Sequence, residues 1–357
     1  MRNKVLFRFE RVFLLLAIIG FFLFIALTKG YRQNNNLKRP TPFVRQPSLT
    51  TMISKIQGSD SWKPKGFGSG EYLENLPRIR AGAVVDLVSG EVIWSMNLKQ
   101  KIAPASLTKV ATVMTALDIT NVDYMLSVDE DASSQIPTKL GLSVGEKLTL
   151  SEAISAALLT SANDATETIS ESLGKEFGDG TPTFVKLVNE KLKKIGAVDS
   201  NFETSTGLDS AGHYSTIYDL AIIGHEAKAN YPVISNIASQ QYLRLEANGN
   251  HKVFDLPNWN ALLGTYPGVN GLKIGYTEES GHSTMVTAER DGKKLIAIVV
   301  GTNSIEDREN AAATLLNYGF SKSGIEPFPI NELNLVNRFE DWRRQLSYKS
   351  DNLNRNN

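Results

Sequence analysis

Apolar and polar positions divide this chain into one long uninterrupted run, a polar stretch, and a region where periods of two alternate with periods of three to four. The run is VFLLLAIIGFFLFIALT, Val12 to Thr28, apolar on every face and at the short end of what spans a bilayer as a helix. Residues 30 to about 75, with QNNNLKRPTPFVRQPS and then GSDSWKPKGFGSGE, carry no core period and predict a flexible tether. The folded region is expected over residues 76–325. AGAVVD (Ala81 to Asp86) and EVIWSMN (Glu91 to Asn97) flank Leu87-Val88-Ser89-Gly90 and predict a first hairpin. Near the far end STMVTAER and KKLIAIVVG flank Asp291-Gly292, a strong turn dipeptide for a second one. Between them, Ser106 to Leu117 has Leu107, Val110, Val113, Met114 and Leu117 on one helical stripe. Further helices are predicted at Leu150 to Leu159, Ala165 to Leu173, Phe184 to Ile195 and Tyr218 to Ala229, with a closing one at about Asp307 to Tyr318. Strands at both ends with helices between them predict an α+β domain whose first and last strands share one mostly antiparallel sheet.

The last stretch, residues 326–357, is polar, yet Leu333, Val336, Phe339, Trp342 and Leu346 recur at helical spacing among Arg338, Arg343 and Arg344. That pattern fits an amphipathic interfacial helix on anionic lipid, and it fits equally a short helix packed on its own domain.

Charge orients the apolar run. Arg2, Lys4, Arg8 and Arg11 precede it against Glu10 alone, which predicts a cytoplasmic segment at residues 1–11 and a single-pass signal-anchor at 12–28. Residues 29–75 and the catalytic region would then lie outside the cell membrane. A cleaved signal peptide has the same charge-then-apolar order, but Ala26-Leu27-Thr28 matches a cleavage site poorly. Lys plus Arg and Asp plus Glu both total 38, so no net field favours nucleic acid. The absence of cysteine excludes disulfides, thiolate catalysis and Cys-ligated zinc, and the four histidines show no His-x-x-x-His pair. Neither a metal nor a cofactor is expected.

Three short motifs carry chemistry. Ser106-Leu107-Thr108-Lys109 opens the first helix, where residues three apart share a face, so a hydroxyl meets an amine that partial burial turns into a base. Ser161-Ala162-Asn163 falls between helices, where its hydroxyl could relay a proton and its amide could hold a carbonyl. Lys273-Ile274-Gly275 begins a late strand, offering a cation for a carboxylate and a glycine for close backbone approach. Singly each is cheap: Ser172-Leu173-Gly174-Lys175, Ser350-Asp351-Asn352 and Lys194-Ile195-Gly196 repeat the patterns without companions. Their order and spacing distinguish the first set.

On that set, and on the strings PASLTKVATVMTAL, LLTSANDATETISE, NFETSTGLDSAGHYST and YPGVNGLKIGYTEESGHS, the stretch from about Arg80 to Phe320 resembles the D-alanyl-D-alanine carboxypeptidase family. These are low-molecular-mass penicillin-binding proteins, serine peptidases related to class A β-lactamases. The resemblance implies a β-lactamase/transpeptidase-like fold, with the active site between the sheet and a helical subdomain. It implies Ser106 as nucleophile, Lys109 as general base, Ser161 and Asn163 in proton relay and substrate contact, and Lys273, Gly275 and Thr277 along the carboxylate-binding strand. An oxyanion hole would join the Ser106 N–H to one from the strand after Gly275, with His282 as the candidate for that second position. Peptidoglycan stem peptide and β-lactams are the implied ligands, and cutting of cross-links or wall binding alone are the alternatives. The family's strand motif has Thr where this chain has Ile274, which removes a hydroxyl from the carboxylate site.

Overall fold

The computed structural model describes residues 48–59 and 62–344. The apolar run at Val12 to Thr28 lies outside them, and among the described residues no helix is long and apolar enough to cross a membrane.

Strands β1 (Ala81–Asp86) and β2 (Val92–Met96) form the expected first hairpin, where Asp86 Oδ1 accepts the N–H groups of Val88 and Ser89 in the turn. A helical region follows, built on α1 (Thr108–Ile119), α2 (Asn163–Lys175), α3 (Thr181–Ile195) and α4 (Ile217–Asn230). Two small hairpins flank its elements, β3 (Met125–Ser127) with β4 (Lys147–Thr149), and β5 (Tyr242–Leu245) with β6 (Phe254–Pro257). Three long strands come next, β7 (Val269–Thr277), β8 (Gly281–Arg290) and β9 (Lys293–Thr302), then helix α5 (Ile305–Ser321). A final helix, α6, covers residues 335–344.

The main sheet has the order β2-β1-β9-β8-β7 with every neighbour antiparallel, so the first and last strands share it as expected. Side chains alternate across a strand, and here both faces are covered. Ala81, Ala83, Val85, Ile296, Ile298 and Val300 join the core of the helical region. Val84, Leu295, Ala297 and Val299 join a second core beneath α5, with Leu315, Leu316 and Phe320. Double coverage explains why β9 reads as an unbroken apolar run instead of an alternating one. Helix α1 is buried continuously from Thr108 to Ala116 because α2, α3 and α4 all pack on it. The helix expected over Leu150 to Leu159 is α-helical only over Leu150–Ser155. It then widens into a π-turn at Ala156–Thr160, a distortion common at functional sites, and ends with Ser161 at φ 60°.

The tether expected over residues 29–75 is not free in its described part. Leu49–Lys55 is a short helix whose Met52 and Ile56 pack against Leu187. Gln57 reaches a buried charge cluster: its N–H donates to Asp118, and its carbonyl accepts from Lys191, which is itself paired with Asp118 and Glu226. Trp62 stacks on His225 at 4.0 Å. Such a segment shows no core period because it contributes single anchors to a core that other elements build. The tail also departs from the lipid-surface reading. Leu333 and Trp342 of its stripe, with Leu335 and Arg338, are turned into the domain, Val336 is exposed, and Leu346 lies outside the described residues. Replacement of Met52 by Ala is therefore expected to lower unfolding stability by ~2–5 kcal/mol, read as a shifted urea midpoint, where a free tether would give no change.

Candidate active site

Ser106 lies in the 3-10 turn Ala105–Leu107 that leads into α1. Ala105 has φ 49°, a left-handed conformation costing ~1–2 kcal/mol in a residue with a Cβ. Two glycines make room for that turn. A Cβ on Gly275 of β7 would lie 3.0 Å from both the Ser106 nitrogen and the Ala105 Cβ, and one on Gly207 would lie 1.9 Å from the Ala105 oxygen. The nucleophile is thus wedged between the sheet edge and the 204–207 loop.

Lys109, one turn along α1, is fully buried. Its Nζ is 2.8 Å from Ser106 Oγ, 2.8 Å from Asn163 Oδ1 and 2.7 Å from the Thr206 carbonyl oxygen. The Asn163 amide is oriented by Nδ2, which donates to the Ile136 carbonyl at 3.0 Å, so its oxygen must face the lysine. Asn163 Oδ1 and the Thr206 carbonyl can only accept. A neutral amine has two N–H groups for those acceptors and one lone pair left for the Ser106 hydroxyl. Burial pushes the Lys109 pKa down to about 7, and the carboxylates of Asp164 and Glu167 act against that shift. Near neutral pH the amine is therefore partly in its basic form.

The second motif borders the same space. Ser161 lines a cleft of about 360 Å³ with Ser106, Pro137, Thr138 and Ile274. Asp164, next to Asn163, fixes the facing loop by accepting the N–H groups of Leu140, Gly141 and Leu142 at 3.0, 2.8 and 3.0 Å. The 202–213 loop carrying Thr206 is held by His213, whose Nδ1 accepts from the Glu203 and Thr204 N–H groups. That leaves Nε2–H to donate to Thr108 Oγ1 at 2.9 Å, and desolvation lowers the His213 pKa to about 4, consistent with a neutral ring.

The third motif is placed less uniformly. Lys273 is buried, its Nζ donates to the Ile274 carbonyl at 2.9 Å, and its pKa is driven well down by desolvation and then by the charges of Lys109 and Arg308. Ile274 and Tyr276 line the cleft. Thr277 does not, because its Oγ1 accepts the Ser280 N–H in the β7–β8 turn. His282 contributes its ring to the cleft, 4.5 Å from that of Tyr276. Its backbone sits on β8, paired with Tyr276 on one flank and Thr302 on the other, and inner-strand N–H groups are directed at neighbouring strands. The residue after Gly275 on the open edge strand is Tyr276, so the expected second backbone position belongs there and not to His282.

Among the cleft residues that sequence reasoning missed are Trp259, Arg308 and Trp342. Arg308 directs Nε and Nη2 to the buried Glu309 carboxylate, and Nη2 also reaches the Trp259 carbonyl at 3.2 Å. Its place on α5 reads in sequence as an ordinary polar position of a closing helix. Among the described residues no group of three or more His, Asp or Glu side chains converges as metal ligands would.

A family described as D-alanyl-D-alanine carboxypeptidase matches residues 73–304. The D-alanyl-D-alanine carboxypeptidase DacF of Bacillus subtilis is 32% identical over 256 residues, 70% of this chain and 64% of DacF. DacD of Escherichia coli is 30% identical over 273 residues, 71% of this chain and 68% of DacD. The chain thus spans just under two thirds of the Bacillus relative. Among solved structures, the D-alanyl-D-alanine carboxypeptidase of Mycobacterium tuberculosis superposes with a TM-score of 0.64 at 28% identity, covering 72% of this chain and 96% of that one. A Streptomyces DD-transpeptidase gives a TM-score of 0.63 at 24% identity over 69% of this chain and 98% of its own, a likeness of fold.

With Lys109 as the base for Ser106, as the sequence leads one to expect, reactivity of Ser106 toward an acylating reagent is expected to rise with pH through a midpoint of about 7. Glu167→Gln removes a charge that holds the lysine pKa up, so the midpoint should move to lower pH. A pH-independent rate, or a midpoint moved upward, would contradict this assignment.

Proposed function

This chain belongs to the D-alanyl-D-alanine carboxypeptidase family of serine peptidases, and from that premise we propose that it removes the terminal D-alanine of cell-wall stem peptides through an acyl-enzyme on Ser106. The observation that carries the reading is the buried Lys109 amine, whose two other partners can only accept, leaving its lone pair for the Ser106 hydroxyl.

In this reading Lys109 takes the Ser106 proton as Oγ attacks the carbonyl carbon between the two D-alanines. The oxyanion that forms is met by the backbone N–H groups of Ser106 and Tyr276, donors already in place before the charge develops. Ser161 passes a proton to the leaving amine, the bond to the terminal D-alanine breaks, and water later releases the acyl group by the same base. Asn163 serves as the fixed amide beside Lys109. Arg308 takes the terminal carboxylate, because a guanidinium stays charged in a buried cleft where the Lys273 amine is driven toward neutrality. Lys273 assists once the carboxylate arrives, since a bound anion raises its pKa. This division accounts for Ile274: the hydroxyl it lacks is replaced by a donor on α5. β-Lactams would acylate Ser106 by the same attack.

Val12 to Thr28 acts in this proposal as a single membrane span, with the basic residues before it held in the cytoplasm and the catalytic domain outside the cell membrane. The uncharged run and its flanking charge support that placement. Retention of residues 1–28 in the mature protein is the expected result, and their loss on export would overturn it.

Incubation with a fluorescent penicillin should label the wild type covalently, and a pentapeptide ending in D-Ala-D-Ala should lose one D-Ala. Ser106→Ala should abolish labelling and lower D-Ala release by roughly 10⁴-fold or more. Labelling that persists in Ser106→Ala would remove the nucleophile from this scheme.

A further inference from the structure

The family match ends at residue 304, yet Ile305, Arg308 and Trp342 beyond it line the cleft that holds Ser106. Trp342 belongs to α6, the helix whose stripe the sequence left open between lipid and domain. Several contacts hold it in place. Arg338 on the same helix reaches Gln241 Oε1 at 3.2 Å, the Gln241 carbonyl at 3.3 Å and the Asn258 carbonyl at 3.4 Å. Leu333 and Leu335 are buried, and the Phe339 ring lies 5.3 Å from that of Trp342. Trp342 meets Trp259 edge to face, with centroids 5.0 Å apart and planes at 77°. Trp259 in turn is tied to the second motif: its N–H donates to the Leu159 carbonyl and its Nε1 to the Thr160 carbonyl, both at 3.1 Å, immediately before Ser161.

The two indoles therefore form a fixed wall, and its side of the cleft is specified by Arg308, whose Nη2 donates to the Trp259 carbonyl at 3.2 Å. Resting on the reading that Arg308 holds the terminal carboxylate, the wall borders the leaving group. We infer that Trp342, presented by the C-terminal helix, is a specificity-determining residue that limits the leaving group to a single free amino acid. The bond broken is the same in both possible reactions. With a free D-alanine as leaving group, a methyl faces the indoles. With a cross-link as substrate, the departing amine belongs to a diamino acid whose chain continues into a second peptide, and that chain must pass the wall. The wall is held by the hydrogen bonds of Trp259 to the turn before Ser161 and of Arg338 to Gln241, so a continuing chain meets it as a fixed obstacle.

The test compares two substrates on the full chain: a pentapeptide ending in D-Ala-D-Ala, and a dimer peptide cross-linked from D-Ala to a diamino-acid side chain. Wild type should release D-Ala and cut the cross-link at least about 10-fold more slowly. Trp342→Ala should narrow that ratio by about 3- to 10-fold, the size of a lost aromatic contact, and Trp342→Phe should restore most of it. A loss of packing alone would slow both substrates together and leave the ratio in place. Should Trp342→Ala fail to fold, Trp342→Leu reads the same ratio with an apolar side chain kept at the position. A ratio unchanged in the variants, or a wild type that cuts both substrates equally, overturns the inference while penicillin labelling of Ser106 shows the functional reading intact. Absence of both labelling and D-Ala release overturns that reading, and the inference falls with it.

Discussion

The rest of the site depends on keeping one amine out of water. Lysine loses several kcal/mol of hydration when buried, and proteins accept that cost only where the charge is paired or the group becomes neutral. Lys109 does some of each. Asp164 and Glu167 hold its pKa up against a larger desolvation effect, leaving a base poised near neutral pH. Its three contacts come from three separate parts of the chain: Ser106 on the turn before α1, Asn163 at the start of α2, and Thr206 on the following loop. Each of those parts is held in turn, by close packing on Gly275, by the hydrogen bond to Ile136 and by those to His213 respectively. The geometry of the base is thus overdetermined, which a group required to be both desolvated and aimed must be.

Charge in the cleft is arranged on the same principle. Lys109, Lys273 and Arg308 lie close enough to depress the pKa of Lys273, so the unliganded site favours fewer than three full charges. The buried Glu309 partly balances Arg308, and desolvation drives the Lys273 pKa well down. An arriving carboxylate relieves that repulsion. Under the proposed function, substrate affinity and lysine protonation are linked for that reason.

Periodicity made the architecture legible, because the elements that build the core repeat their own pattern. The two hairpins, the α1 stripe and the closing helix stand where the pattern placed them. Ser106, Lys109, Ser161 and Asn163 were legible because helical spacing and order constrain them jointly. The segment at residues 48–75 was not, since Met52, Ile56 and Trp62 act singly. Arg308 and Trp342 escaped for another reason: their role arises from tertiary proximity to Trp259, far from both along the chain, and a buried Arg on a helix has no local signature. His282 was misplaced by one strand, an error of pairing that linear distance from Gly275 cannot expose.

The early segment that clasps β2 also governs how this molecule meets other extended chains. Lys65 pairs across β2 with Gly90 and Val92, and Ser69 donates to the Ile93 carbonyl, so one flank of the sheet has its backbone groups occupied. At the other flank no further strand lies beside β7 among the described residues, and β7 runs beside Ser106. Sheets recruit foreign strands wherever a row of N–H and C=O groups is left open. In the main sheet that recruitment is polarised: among the described residues, a peptide adding as a strand beside β7 would lie along the edge that borders Ser106.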